Sequence, residues 1–285
     1  MRRSPPELGD FAPERAARLR VRGCEINWLA WGDRGDPIVL LVHGARANWH
    51  WWHKAAGPLI GSGGRRILAM DLSGHGDSGH RPEYSGRIWA EEVAAVIASQ
   101  AGGAATVVGH SMGGFVAIAA AACHPGVVDE LVLVDVPIQR PDPLKGREPL
   151  GVPARPLRSY GSRREAVESF RLLPSSSVTD EDLVREVAAV SVAEFDGGWQ
   201  WKFDPEVAQR FDFATVAADL VRVRCDVRAL YGAESDRVSA ATIATTEAIL
   251  EREVPAGSVP GAGHHVVLDR PLQLGAALDR VLPRA

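Results

Sequence analysis

The run Thr106-Val107-Val108-Gly109-His110-Ser111-Met112-Gly113-Gly114-Phe115 constrains the fold more than any other part of this 285-residue chain. Three β-branched residues lead into Gly-X-Ser-X-Gly, and the alanine-rich stretch to Cys123 follows without room for a loop. A buried strand must therefore turn into a helix within two or three residues. A serine at such a tip needs backbone dihedrals that few residues adopt, and glycines on either side let strand and helix approach each other. The turn would lift Ser111 Oγ above the sheet edge, beside the positive end of the helix, where developing negative charge is favoured.

The rest of the chain repeats this strand-to-helix rhythm. Ile38-Val39-Leu40-Leu41-Val42 and Leu131-Val132-Leu133-Val134 are continuously apolar, as strands buried on both faces are. Ile26 to Trp31 and Arg66 to Met70 read as further strands, and Trp89, Val93, Val96 and Ile97 fall at helical spacing. This alternation predicts an α/β fold with a mostly parallel central sheet and helices on both faces. Residues 1–16, rich in Pro, Arg and Glu, read as a loose arm.

After Asp135 the rhythm stops. Residues 137–160 mix prolines with basic residues, which excludes a sheet interior. Leu183, Val187 and Val190 then form an apolar helical stripe, and strand-like sequence resumes only at Val227 to Tyr231. Such an interruption is too long for a plain connection. The expected organisation is a core of residues 1–136 and 216–285, with residues 137–215 inserted as a helical cap.

A serine hydroxyl becomes a nucleophile when a base takes its proton and an acid orients that base. In the strand–Gly-X-Ser-X-Gly–helix setting, acid and then histidine follow later in the chain. His264, directly after Gly263 in the turn beyond Ser258-Val259, is the expected base, and the adjacent His265 reads as a packing neighbour. The acid should close the preceding strand, where Gly232-Ala233-Glu234-Ser235-Asp236 offers two carboxylates. Asp236 is the choice and Glu234 a solvated charge, while Asp135, at the tip of the earlier strand, is a third candidate. Stabilising a tetrahedral oxyanion requires backbone N–H groups. Met112, after the serine, and Ala45, in the loop His43-Gly44-Ala45-Arg46, are the expected donors, with His43 bonding within its loop.

Other classes find little support. A formal charge of −4 gives no basic footprint for nucleic acid or an anionic membrane. No apolar run approaches the length of a membrane span, and the first residues lack the apolar segment of a secretory signal. Cys24, Cys123 and Cys225 are too few and too scattered for a disulfide framework, which suggests a cytoplasmic protein. His50 and His53 lack a third ligand at credible spacing, and no dinucleotide or phosphate-loop glycine pattern occurs, so neither metal nor cofactor is expected.

Val42-His43-Gly44, Asp71-Leu72-Ser73-Gly74-His75-Gly76-Asp77-Ser78, the Gly-His-Ser-Met-Gly-Gly elbow, Gly-Ala-Glu-Ser-Asp and Gly-Ala-Gly-His together resemble the α/β-hydrolase superfamily. The likeness runs from about residue 20 onward, outside the inserted segment, and points to capped bacterial esterases, carbon–carbon bond hydrolases and lactonases. It implies Ser111, Asp236 and His264 as a triad, Ala45 and Met112 as oxyanion donors, and His75 as a hydrogen-bonding loop residue. Relatives that open epoxides or cleave carbon–halogen bonds carry Asp in the elbow, so Ser111 argues against both. The expected function is hydrolysis of a small or medium apolar carboxylic ester or lactone through an acyl-enzyme. Carbon–carbon bond hydrolysis, or a binding protein on the same scaffold, are the alternatives. Trp49 and Trp52 are candidate pocket residues, and Trp199 and Trp201 are expected to pin the cap to the core.

Overall fold

The computed structural model describes residues 15–100, 103–139, 157–175, 179–207 and 214–285. The first part of the expected arm and most of the proline-rich stretch lie outside these residues. Eight strands form one sheet in the order β1-β2-β4-β3-β5-β6-β9-β10. They are β1 (Arg15–Val21), β2 (Cys24–Trp31), β3 (Ile38–Val42), β4 (Arg66–Met70), β5 (Ala105–His110), β6 (Val128–Val134), β9 (Asp226–Gly232) and β10 (Ala256–Val259). The hairpin of β1 and β2 joins β4 antiparallel, and every other neighbouring pair is parallel.

β1 begins inside the expected arm. Its alternation of Arg18 and Arg20 with Leu19 and Val21 turns the apolar residues to the core, and Arg22 and Gly23, both at positive φ, close the two-residue hairpin to Cys24.

The central strands are apolar throughout because both faces are covered. Ile38, Leu40 and Val42 of β3 enter one core, while Val39 and Leu41 enter the other. The first face is packed by α2 (Gly86–Ala98), α3 (Met112–Cys123) and, through Leu220, α6 (Ala214–Arg222). The second is packed by α1 (His53–Ser62), the short α8 (Val266–Asp269) and α9 (Pro271–Val281). α7 (Ala240–Leu250) connects β9 to β10. Among the described residues no helix is long and apolar enough to cross a membrane.

Between β6 and α6 lie α4 (Arg163–Glu168), α5 (Glu181–Val190) and a separate hairpin of β7 (Val192–Phe195) and β8 (Gly198–Trp201). Leu183 and Val187 of α5 are buried against the second core, matching the apolar stripe in the sequence. The two tryptophans of β8 behave differently from expectation. Trp199 and Trp201 pack on Tyr160, Ala166 and Val192, all within the stretch between β6 and α6. Its ties to the β4 loop come from the next residues: Gly76 N–H donates to Lys202 O at 2.7 Å and Asp204 N–H to Gly74 O at 2.8 Å.

Candidate active site

Ser111 occupies the turn between β5 and α3 with φ 51° and ψ −118°. The glycines are sterically required there. A Cβ on Gly109 would lie 2.4 Å from Gly113 O, and one on Gly113 would lie 2.4 Å from Val42 O. Backbone hydrogen bonds tie neighbouring strand tips together: Ser111 N–H donates to Val134 O at 3.0 Å, and Asp135 N–H to Leu230 O at 2.8 Å.

His264 stands above this edge with a 9% exposed side chain. Its Nε2 is 3.1 Å from Ser111 Oγ and its Nδ1 is 2.8 Å from Asp135 Oδ1. The carboxylate accepts a hydrogen bond from Nδ1–H, which leaves Nε2 as acceptor for the serine hydroxyl. Asp135 is fully buried, has φ 48°, and also accepts from Ser235 Oγ and Gly232 N–H, each at 2.8 Å. Three donors compensate a carboxylate that burial alone would penalise heavily.

Asp236, the expected partner of His264, does not reach it. Its side chain is 69% exposed and its carboxylate faces Arg237 at 3.6 Å. The cause is the turn after β9: Ser235 N–H donates back to Gly232 O at 3.0 Å, which aims the Ser235 hydroxyl inward and carries Asp236 out to solvent. Glu234 is exposed, as expected. Gly232 lets the two loops cross, since a Cβ there would meet Gly263 O at 2.2 Å.

Four further histidines lie near this edge, and burial lowers the pKa of each. His110 Nε2–H donates to the carbonyl of His264 at 2.9 Å, and desolvation, followed by the neighbouring His264, keeps its pKa well below the usual range. His43, driven by burial to about 4, donates from Nδ1 to Gly44 O at 2.7 Å and accepts Leu72 N–H at Nε2, the in-loop role expected for it. His75, also pushed well down by burial, donates from Nδ1 to Ser73 O at 3.3 Å. His265, lowered by burial, donates to Pro174 O at 2.9 Å and packs on Trp51, as a packing neighbour should. His110 and Ser235 were not singled out in the sequence. The first is the variable residue before the nucleophile, and nothing in the spacing marks the second.

Met112 opens α3 and is buried, while Ala45 is exposed in the loop after β3. That loop lies against the serine: a Cβ on Gly44 would be 3.4 Å from Ser111 Cβ. Trp52, a candidate pocket residue, is instead buried in the second core, because the 3-10 turn Trp49–Trp52 directs it onto the sheet. Trp49 is half-buried with its ring 6.2 Å from that of Trp31, and its N–H donates to Asp71. Burial raises Asp71 to about 6 despite donors from Trp49, Asn27 and Asp77. Among the described residues no group of three or more His, Cys, Asp or Glu is arranged to hold a metal ion.

The sequence profile of the alpha/beta hydrolase family matches residues 39–277. The chain belongs to that family. This hydrolase is 30% identical over 263 residues to the esterase Rv0045c of Mycobacterium tuberculosis, covering 90% of this chain and 85% of that one. A crystal structure of that esterase superposes with a TM-score of 0.75 at 27% identity, over 96% of this chain and 93% of the other. The hydrolase is also 26% identical over 254 residues to the sn-1-specific diacylglycerol lipase ABHD11 of Mus musculus, covering 84% of this chain and 79% of the relative.

Proposed function

We propose that the protein is a serine hydrolase of small or medium carboxylic esters or lactones with an apolar acyl part, working through an acyl-enzyme. The observation that carries the reading is His264 bridging Ser111 Oγ and the buried Asp135 carboxylate, at 3.1 and 2.8 Å. In this mechanism Nε2 of His264 takes the hydroxyl proton as Oγ attacks the ester carbonyl. Asp135 holds the imidazole tautomer and stabilises the imidazolium that forms. The negative charge on the former carbonyl oxygen is received by the amides of Met112 and Ala45, reinforced by the N-terminal end of α3. His264 then returns the proton to the leaving alcohol and, after that group departs, activates the water that frees the acyl group.

Residues 137–215 serve as the cap in this reading, with α5 and the β7–β8 hairpin over the sheet edge. The names esterase and diacylglycerol lipase carried by the relatives accord with ester chemistry. Three free cysteines accord with a cytoplasmic location. The test is labelling by a fluorophosphonate together with a panel of p-nitrophenyl esters and lactones. Ser111 is expected to be the modified residue, with ester turnover lost in Ser111→Ala. An unlabelled Ser111 and an unchanged Ser111→Ala rate would overturn the reading.

A further inference from the structure

Six non-glycine residues adopt positive φ among the described residues. Arg22 and Asp196 sit in two-residue hairpin turns and Glu251 caps α7, positions that ordinarily demand this conformation. Ser111 and Asp135 belong to the site. The sixth is Arg46, at φ 59°, immediately after the proposed oxyanion donor Ala45. Arginine has no intrinsic preference for this region, so the loop holds it there at a cost of roughly 1–2 kcal/mol.

Among the described residues the guanidinium has no acidic partner. Arg46 is half-buried, its Cζ lies 5.1 Å from the centre of the Phe203 ring, and no carboxylate among the described residues comes within 4 Å. Burial is the one influence lowering its pKa; no neighbouring acid opposes it. The acids of this corner are engaged elsewhere. Asp71 is held by three donors, Asp77 by Lys202 at 2.8 Å, and Glu92 by Arg81 at 2.9 Å. Asp204 accepts from Tyr84 at 2.7 Å. Burial lowers the pKa of the nearby His43 and His75 rings. A partly desolvated cation is thus left beside the oxyanion loop with an aromatic face on one side and its planar donors unmatched by any anion. Its fork geometry suits a carboxylate.

We propose that Arg46 binds a carboxylate at the far end of the acyl chain, so that the preferred substrate is a half-ester of a short dicarboxylic acid. The proposal rests on the reading of Ser111, His264 and Asp135 as hydrolytic machinery. It modifies that reading at one point: the acyl chain ends in a carboxylate that makes a charge-assisted contact. It gives Arg46 a specificity role and no part in proton transfer.

The test compares monomethyl glutarate with methyl pentanoate, in which a methyl group replaces the carboxylate, by acid release at constant pH. Wild-type kcat/KM is expected to favour the half-ester by about tenfold or more. Arg46→Gln is expected to erase that preference, chiefly through KM for the half-ester, and Arg46→Lys to restore part of it. Glutarate should slow fluorophosphonate labelling of wild-type Ser111 more than pentane-1,5-diol does, and this difference should vanish in Arg46→Gln. Equal rates for the two esters with no protection by glutarate overturn the proposal. So does an equal loss for both esters in Arg46→Gln, which would make Arg46 a strut against Phe203. Absence of any label on Ser111 instead overturns the hydrolytic reading beneath it, so the two failures are separable.

Discussion

The tips of β6 and β9 each present an acidic residue near the same histidine, yet only one reaches it. At β6 the chain bends at once: Asp135 directly follows the last strand residue, takes positive φ, and stays fully buried beneath His264. At β9 the chain runs past Gly232 into a turn that leaves Asp236 on the surface facing Arg237. The β9 loop still contributes, through Ser235 Oγ and Gly232 N–H, both donating to Asp135. One strand tip supplies the charge and the other supplies the donors that make burying it tolerable.

The sharpest way to break this comparison is Asp135→Asn. It should preserve the fold while lowering kcat for an ester by on the order of a thousandfold or more, because the amide no longer selects the tautomer of His264. Gly232→Ala should be the next largest. Its Cβ meets backbone oxygens at 2.2 and 2.4 Å, so the His264 loop must shift, at a cost of about 3 kcal/mol in urea unfolding.

Acid is expected to act at the tips of β3 and β5, where His43 and His110 are buried. His43 has its pKa lowered from 6.5 to about 4, and His110 is also pushed well down. The unfolded chain therefore binds protons that the folded chain refuses, and stability should fall as pH drops from about 6.5 towards 4, by as much as about 3 kcal/mol for His43, with His110 acting in the same direction. Asp71, raised to about 6, acts in the opposite direction below that pH and blunts the loss. Urea midpoints measured between pH 7 and 5 check the sign: a midpoint that rises on acidification would contradict it.

Ser235→Ala removes one of three donors to Asp135 and should lower kcat by about tenfold, with Ser111 labelling slowed alongside. Asp236→Asn should be the mildest, changing kcat by less than about twofold, as expected for an exposed charge. Comparable losses in Asp135→Asn and Asp236→Asn would erase the distinction between the two tips.

The same contrast explains what could be read from the sequence. The meeting of Ser111 with His264 was legible because the glycines around Ser111 answer to close backbone approaches and a glycine turn delivers His264 beyond the last strand. The parallel sheet was legible in strands that are apolar on both faces. Which carboxylate meets His264 was not, because the order of acid and histidine along the chain is the same for both tips. What separates them is the bend at Asp135 and the outward turn at Ser235, neither fixed by composition. One clue was present: Asp135 closes the fully apolar run Leu131 to Val134 without an intervening turn residue, so its carboxylate starts at the level of the sheet. The tryptophans of residues 49–52 were ambiguous for another reason. An aromatic run beside the site reads equally as pocket or core, and a tight turn sends Trp52 to the core. β1 was missed because a hairpin edge strand with arginines on its outer face resembles a charged arm.

His110 has a mechanical consequence. It adjoins the nucleophile in the chain, and its ring carries the carbonyl of His264 at 2.9 Å. That hydrogen bond ties the loop after β10 to the end of β5, the strand that leads into Ser111. It therefore opposes separation of the two loops on which the 3.1 Å approach of Ser111 Oγ to His264 Nε2 depends.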